Sequence, residues 1–344
     1  MRAANRIEVL DYLRGFFIVI IIADHLWRWP NIFQVISGRG ELWVSAAEGF
    51  VIISGLLVGY IRGRKNLKKP LSEVTKKLIG RGLLLYVWAL ITSLLLVAAS
   101  WTLNFQGSIA YIPYDRFDWA GVIEGMIRLE YTHLLTYFLY LYAIFLVLSP
   151  IVIVLLRRQL AWLAALLSLL GWWIGYSQGI EWMQWQILFY IPAIAGFYLE
   201  QIIDIVQRLP RILIVLFLGF AFASILWSAV IVLPTEPGSY LSPIFGREPV
   251  TLARIGLAYV WFVAFIWLFQ QLLPWLKRWF GWLLEPFGTR SLTAYIVHSL
   301  PLMLVPLLIP PTSSWILNSL IAIGCVLVTW AIIMIPGINR FIPR

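Results

Sequence analysis

No feature of the chain constrains its fold more than the succession of long apolar stretches separated by short basic ones. Ten stretches, approximately 9–29, 43–61, 78–100, 134–156, 160–176, 183–200, 210–232, 251–272, 291–309 and 314–335, come close to the roughly 20 residues a helix needs to cross a hydrocarbon layer. Backbone polar groups in lipid must be satisfied within the segment, so each stretch is expected to be a helix. The fold class is therefore all-α, a polytopic membrane protein with about ten transmembrane helices. Composition agrees: 61% hydrophobic and 12% charged residues, at a mean hydropathy of +0.87, would leave a soluble domain without enough polar surface. The 19 Trp and 15 Tyr suit the two membrane–water interfaces. Segments 118–130 and 275–290 read as short helices lying at the surface before the fourth and ninth spans. No internal repeat or linker divides the chain, and residues 1–344 read as a single membrane domain.

The net charge of +10 raises nucleic acid as a partner, but its distribution argues otherwise. With the N-terminus in the cytoplasm, 19 of the 26 Lys and Arg fall on the inner side and six on the outer, while Arg14 lies within the first span. The basic excess is that of cytoplasmic loops. It places both termini inside, in a plasma (inner) membrane, with lipid rather than nucleic acid as the partner. Asp11 and Arg14 interrupt the first apolar stretch, which reads as a retained helix and not a cleaved signal. The single cysteine, Cys325, permits no internal disulfide, and no ligand spacing suggests a metal.

Ionisable residues inside spans are costly and usually face a cavity or a partner. Here they gather early. Span one carries Asp11, Arg14, Asp24 and His25, and span two carries Glu48. Arg14 and His25 are eleven residues apart, which is three helical turns plus about 20°, so they share a face about 16 Å apart along the axis. Asp11 lies one turn below Arg14 and is a natural partner. The plain alternative for Arg14 is snorkelling to the inner headgroups. Glu48 enters from the outer side at about the depth of His25, so a Glu48–His25 hydrogen bond is one option. Gly55-x-x-x-Gly59 permits a close helix crossing. A second cluster, "EPFGTRSLTAYIVHSL" at 285–300, puts Arg290 at the cytoplasmic mouth of span nine and His298 two turns above it.

"LDYLRG" leading to "ADH", followed by "SAAEGFVIISGLLVGY", resembles the transmembrane acyltransferases. The Arg-x10-His spacing of Arg14 and His25 is similar to the acyltransferase-3 motif. The combination "D-H … AAE-x-F-V-x-x-S-G" is closer to the OpgC branch, whose members are associated with succinylation of osmoregulated periplasmic glucans. "LTYFLYLYAIFLVLSPIVIVLLRR", "WQILFYIPAIAGFYLE" and "FGTRSLTAYIVH" resemble the same branch, and heparan-glucosaminide N-acetyltransferase is a more distant relative.

The resemblance implies transfer of an acyl group, acetyl or succinyl, from cytosolic acyl-CoA to a hydroxyl of an extracytoplasmic glucan or other saccharide, without a metal. An alcohol needs a base to become a nucleophile, and imidazole titrates in the useful range. His25 is the expected base, with Glu48 or Asp24 orienting it. Arg14, Arg81, Arg290, Ser291 and His298 are assigned to the donor, whose phosphates suit the basic loop 62–81. A transporter of a lipid-linked or small anionic solute is the second reading, although its charges would be spread over both halves of the chain.

Overall fold

The computed structural model describes residues 3–103, 112–240, 242–338 and 342; the side chains of Arg2, Arg6, Arg340 and Arg344, counted above, lie outside that description. Among the described residues there is no strand, apart from an isolated bridge between Arg247 and Val250. Seven helices are long and apolar enough to cross a membrane. An eighth forms if Glu181–Phe197 and Leu199–Arg208, bent by 77° at their junction, count as one span. The expected ten is thus approximate. The stretches that fall short are α1 (Ala3–His25), with four ionisable residues besides His25 from Glu8 onward, and α7 (Ala161–Gln178), where Trp, Ser, Gly and Gln dilute 18 residues.

The other elements that matter for function are α3 (Ala46–Leu57), α4 (Leu71–Thr102), α6 (Tyr137–Arg157), α9 (Ile187–Phe197), α11 (Arg211–Val232), α12 (Leu252–Thr289), α13 (Ser291–Val297), α14 (Ser299–Leu308) and α15 (Trp315–Met334). Residues 119–127 do form the expected short helix, started by the Asp118 side chain accepting from the Gly121 N–H at 3.0 Å. The separate helix expected at 275–290 is absent. Those residues continue α12, which runs for 38 residues, and Pro274 sits inside it without ending it. At 1.5 Å per residue that is about 57 Å, nearly twice the apolar layer, so Lys277 and Arg278 mark where the helix leaves lipid and not where it stops.

α1 is the central strut, packed against α3, α12, α13 and α15. Its contact with α12 depends on two glycines: a Cβ on Gly15 would overlap the Leu284 carbonyl, and one on Gly288 would overlap the Asp11 carbonyl. α3 crosses α9 the same way. Gly55 and Gly59 lie on the carbonyls of Phe189 and Ala193, and Gly196 returns the contact on Leu56, as the small-xxx-small spacing predicts. Beyond Leu57 the helix widens into a π-helical stretch, Val58–Arg64, which carries Arg62 and Arg64. α11 leaves Ile212, Leu216, Phe220 and Trp227 exposed, which suits a helix facing lipid.

The last third of the fold turns on one span, Ser291–Leu308, made of α13 and α14. The backbone stays helical through His298, whose N–H donates to the Ala294 carbonyl at 2.9 Å. Pro301 has no N–H to give to the carbonyl of Val297, so the ladder lacks one bond just beyond His298. Arg28, just beyond α1, holds the far end of α14: its guanidinium donates to the carbonyls of Ile309 and Pro310, both at 2.6 Å. Charge-assisted bonds of this kind contribute about 1.5–3 kcal/mol each. They fix the C-terminal end of α1 against the segment containing His298.

Candidate functional site

α1 ends at His25, and the half-buried imidazole there meets His298 from the α13–α14 junction. His25 Nδ1 is 3.0 Å from His298 Nε2, with the ring centroids 5.3 Å apart. His298 is fully buried, and its Nδ1 lies against the backbone carbonyl of Tyr295 one turn earlier. The Tyr295 ring lies edge-on to His25 at 6.5 Å, and Phe138 lies edge-on to Tyr295 at 6.2 Å. The Tyr295 ring also packs on His298, with centroids 5.0 Å apart, so one ring contacts both imidazoles. His25 Nε2 has no hydrogen-bond partner among the described residues.

The two carboxylates named with His25 are directed elsewhere. Asp24 points round α1, as the 100° step from His25 requires, and faces the tight turn at Gly40, with its Oδ1 buried and without a hydrogen-bond partner among the described residues. Glu48 is fully buried and makes no hydrogen bond to His25. Its Oε2 accepts from the Ser45 N–H at 2.9 Å and from the Ser45 hydroxyl at 2.6 Å, closing a capping box at the start of α3. Its Oε1 accepts from Arg254 Nε on α12 at 2.5 Å. The geometric reason is register: Glu48 is the third residue of α3, so its side chain reaches back over the helix start.

Two basic residues missed as site candidates emerge at this end. Arg254 falls inside the eighth apolar stretch, 251–272, and belongs to the six outer-side basic residues by sequence. Arg247, in the loop before α12, is exposed and has no ion pair among the described residues, yet its charge reaches Asp24, His25, Glu48 and Tyr295. No local pattern marks it, because only the fold brings that loop over α1.

At the other end of α1, Arg14 lies 3.9 Å from Asp11, and its Nε is buried without a hydrogen-bond partner. Arg81 from α4 comes close enough to feel the charges of both Arg14 and Arg62. The structure thus gathers three arginines, from α1, α4 and the π-helical stretch, with Asp11 beside Arg14 and Glu8 and Glu285 within reach of the Asp11 charge. Tyr142 of α6 also lies within reach of the Arg14 charge and bonds Ser54 at 3.0 Å. Arg290 does not join them: its guanidinium caps the Ile333 carbonyl and touches Met334 Sδ at 3.8 Å, tying the start of α13 to the end of α15. Ser291 is the buried first residue of α13 and makes no side-chain bond to the trio. Among the described residues no group of three or more His, Cys, Asp and Glu could hold a metal.

One helix therefore carries an arginine cluster at one end and a histidine pair at the other. The two are set on nearly one face and separated by about 16 Å of uninterrupted helix. A model of the family described as OpgC protein matches residues 6–339. Comparisons with curated proteins and with solved structures return no match. With nearly its whole length matched, this multi-pass membrane chain belongs to the OpgC family.

Proposed function

We propose that the chain is a membrane O-acyltransferase that moves an acetyl or succinyl group from cytosolic acyl-CoA to a hydroxyl of an extracytoplasmic glucan or related saccharide. The observation that carries this reading is the placement of Arg14 and His25 on one straight helix, each inside a cluster of opposite chemical use. Three convergent arginines suit the phosphates of the donor. The histidine pair suits proton transfer at a reacting hydroxyl. A donor with an anionic head and a reactive carbonyl at the end of a long extended arm matches that separation. In this reading the Arg14 end faces the cytoplasm, both termini lie there, and the membrane is the plasma (inner) membrane.

The acceptor oxygen attacks the thioester carbonyl carbon and forms the new C–O bond. Its proton passes to the free nitrogen of His25. Collapse of the tetrahedral intermediate breaks the C–S bond, and the departing thiolate takes the proton back from His25, leaving ester and free thiol. Arg247, without an ion pair among the described residues, is a cation whose charge reaches His25 and can stabilise negative charge on the ligand. Glu48 supports this arrangement through α3, and Asp24 faces the Gly40 turn.

The test is to incubate purified protein in detergent with radiolabelled acetyl-CoA or succinyl-CoA and a glucan, beside His25→Ala. Label on the glucan that disappears in the folded variant is the expected result. Full transfer by His25→Ala removes His25 as the base. No label with either donor, combined with solute movement in vesicles, would replace the enzyme by a transporter.

A further inference from the structure

The two histidines form a directed chain, and its direction decides which nitrogen of His25 can act. A backbone carbonyl only accepts, so the contact of His298 Nδ1 with the Tyr295 carbonyl requires a proton on that Nδ1. A neutral imidazole carrying its proton on Nδ1 has only a lone pair on Nε2. The 3.0 Å contact with His25 therefore has His25 Nδ1 as donor and His298 Nε2 as acceptor. The proton of neutral His25 is then committed to Nδ1, and its lone pair stands on Nε2, the atom with no partner among the described residues.

We propose that His298 is the positioning residue of this site: the Tyr295 carbonyl and His298 together hold His25 in the tautomer whose Nε2 accepts the proton of the acceptor hydroxyl. This proposal rests on the acyltransferase reading and gives His298 the work expected of Glu48, which is bonded elsewhere, or of Asp24, which faces the Gly40 turn. The relay differs from a carboxylate-oriented histidine in one physical respect. The orienting group is neutral, so a buried acceptor is supplied without burying a negative charge in the membrane. When His25 takes the proton, its Nδ1–H bond to His298 becomes charge-assisted and strengthens. The pair thus stabilises the imidazolium formed as the acceptor attacks. The place of His298 within the Ser291–Leu308 span and the Arg28 clamp on Ile309 and Pro310 set the spacing this chain needs.

The chain can be tested without turnover. Imidazole 15N chemical shifts of the full-length protein, with His25 assigned by His25→Gln, are expected to show His25 protonated on Nδ1 alone. In His298→Leu both tautomers should be populated. For activity, His298→Leu is expected to lower kcat by about 100-fold or more with KM for donor and acceptor within about twofold, since a wrong tautomer is costly while binding is untouched. His298→Gln, whose amide oxygen can accept from His25 Nδ1, is expected to recover at least about tenfold of that loss. A wild-type His25 protonated on Nε2, or equal losses in the Leu and Gln variants, overturns the proposal. An Nδ1-protonated His25 in a protein that transfers no acyl group would leave the chain standing and remove the acyltransferase reading instead.

Discussion

Glu48 and Arg254 meet at 2.5 Å across the α3–α12 contact, with 0% and 4% of their side chains exposed. A buried pair of this kind repays desolvation only while both charges are present, and removing one partner typically costs about 3–5 kcal/mol. Glu48→Leu and Arg254→Leu are each expected to destabilise the protein on that scale, and the double variant by less than either. Thermal unfolding in one detergent reads all three. Additive losses would show that the two side chains act independently and that the pair is not what joins α3 to α12.

Close helix contacts give a second expectation. Gly288→Val must push α12 off the Asp11 carbonyl, a clash with backbone that no rotamer relieves, and Gly59→Val does the same against Ala193. Overpacking costs about 1–3 kcal/mol where neighbours can shift and more where they cannot. Gly219→Ala and Gly256→Ala, which meet nothing within 4 Å, serve as controls and should not lower stability. Equal loss of folded protein in the Val and Ala sets would count against these seams.

The arginine trio predicts a split in kinetics. Arg14→Gln and Arg81→Gln are each expected to raise the KM for the acyl-CoA donor about tenfold, equivalent to about 1.4 kcal/mol, while the KM for the saccharide stays within about twofold. Added salt should raise the donor KM of the wild type more than that of either variant, because screening removes what the substitution has already removed. An unchanged donor KM would take these residues out of donor binding.

What the sequence made legible was local. Span lengths, the shared face of Arg14 and His25, the glycine spacing and the short helix near 119–127 all depend on residues within a few turns of one another. The pairings that build the site join residues far apart. His25 finds His298 across 273 positions and Glu48 finds Arg254 across 206. Nothing in the periodicity of either helix could choose those partners over a Glu48–His25 contact at similar depth. The misreading of 275–290 has a different cause. Composition registers where a helix leaves lipid, and a polar continuation of α12 looks the same as a separate surface helix.

Arg247 carries the last expectation, on the choice between the two acyl groups. Its guanidinium is exposed and without an ion pair among the described residues, and its charge reaches His25, Asp24 and Glu48. Glu48 is already paired with Arg254, and no ion pair among the described residues holds the Arg247 guanidinium, so it is available to an incoming anion at the His25 end. A succinyl group attached through one carbonyl brings a free carboxylate to that point, whereas an acetyl group brings none. Arg247→Ala is therefore expected to raise the KM for succinyl-CoA by about tenfold or more and to leave acetyl-CoA within about twofold, because specificity is a difference of two affinities. Measuring both donors against the same saccharide decides it. A selective loss makes Arg247 the residue that reads the acyl group, and an equal loss with both places its charge on the reaction centre instead.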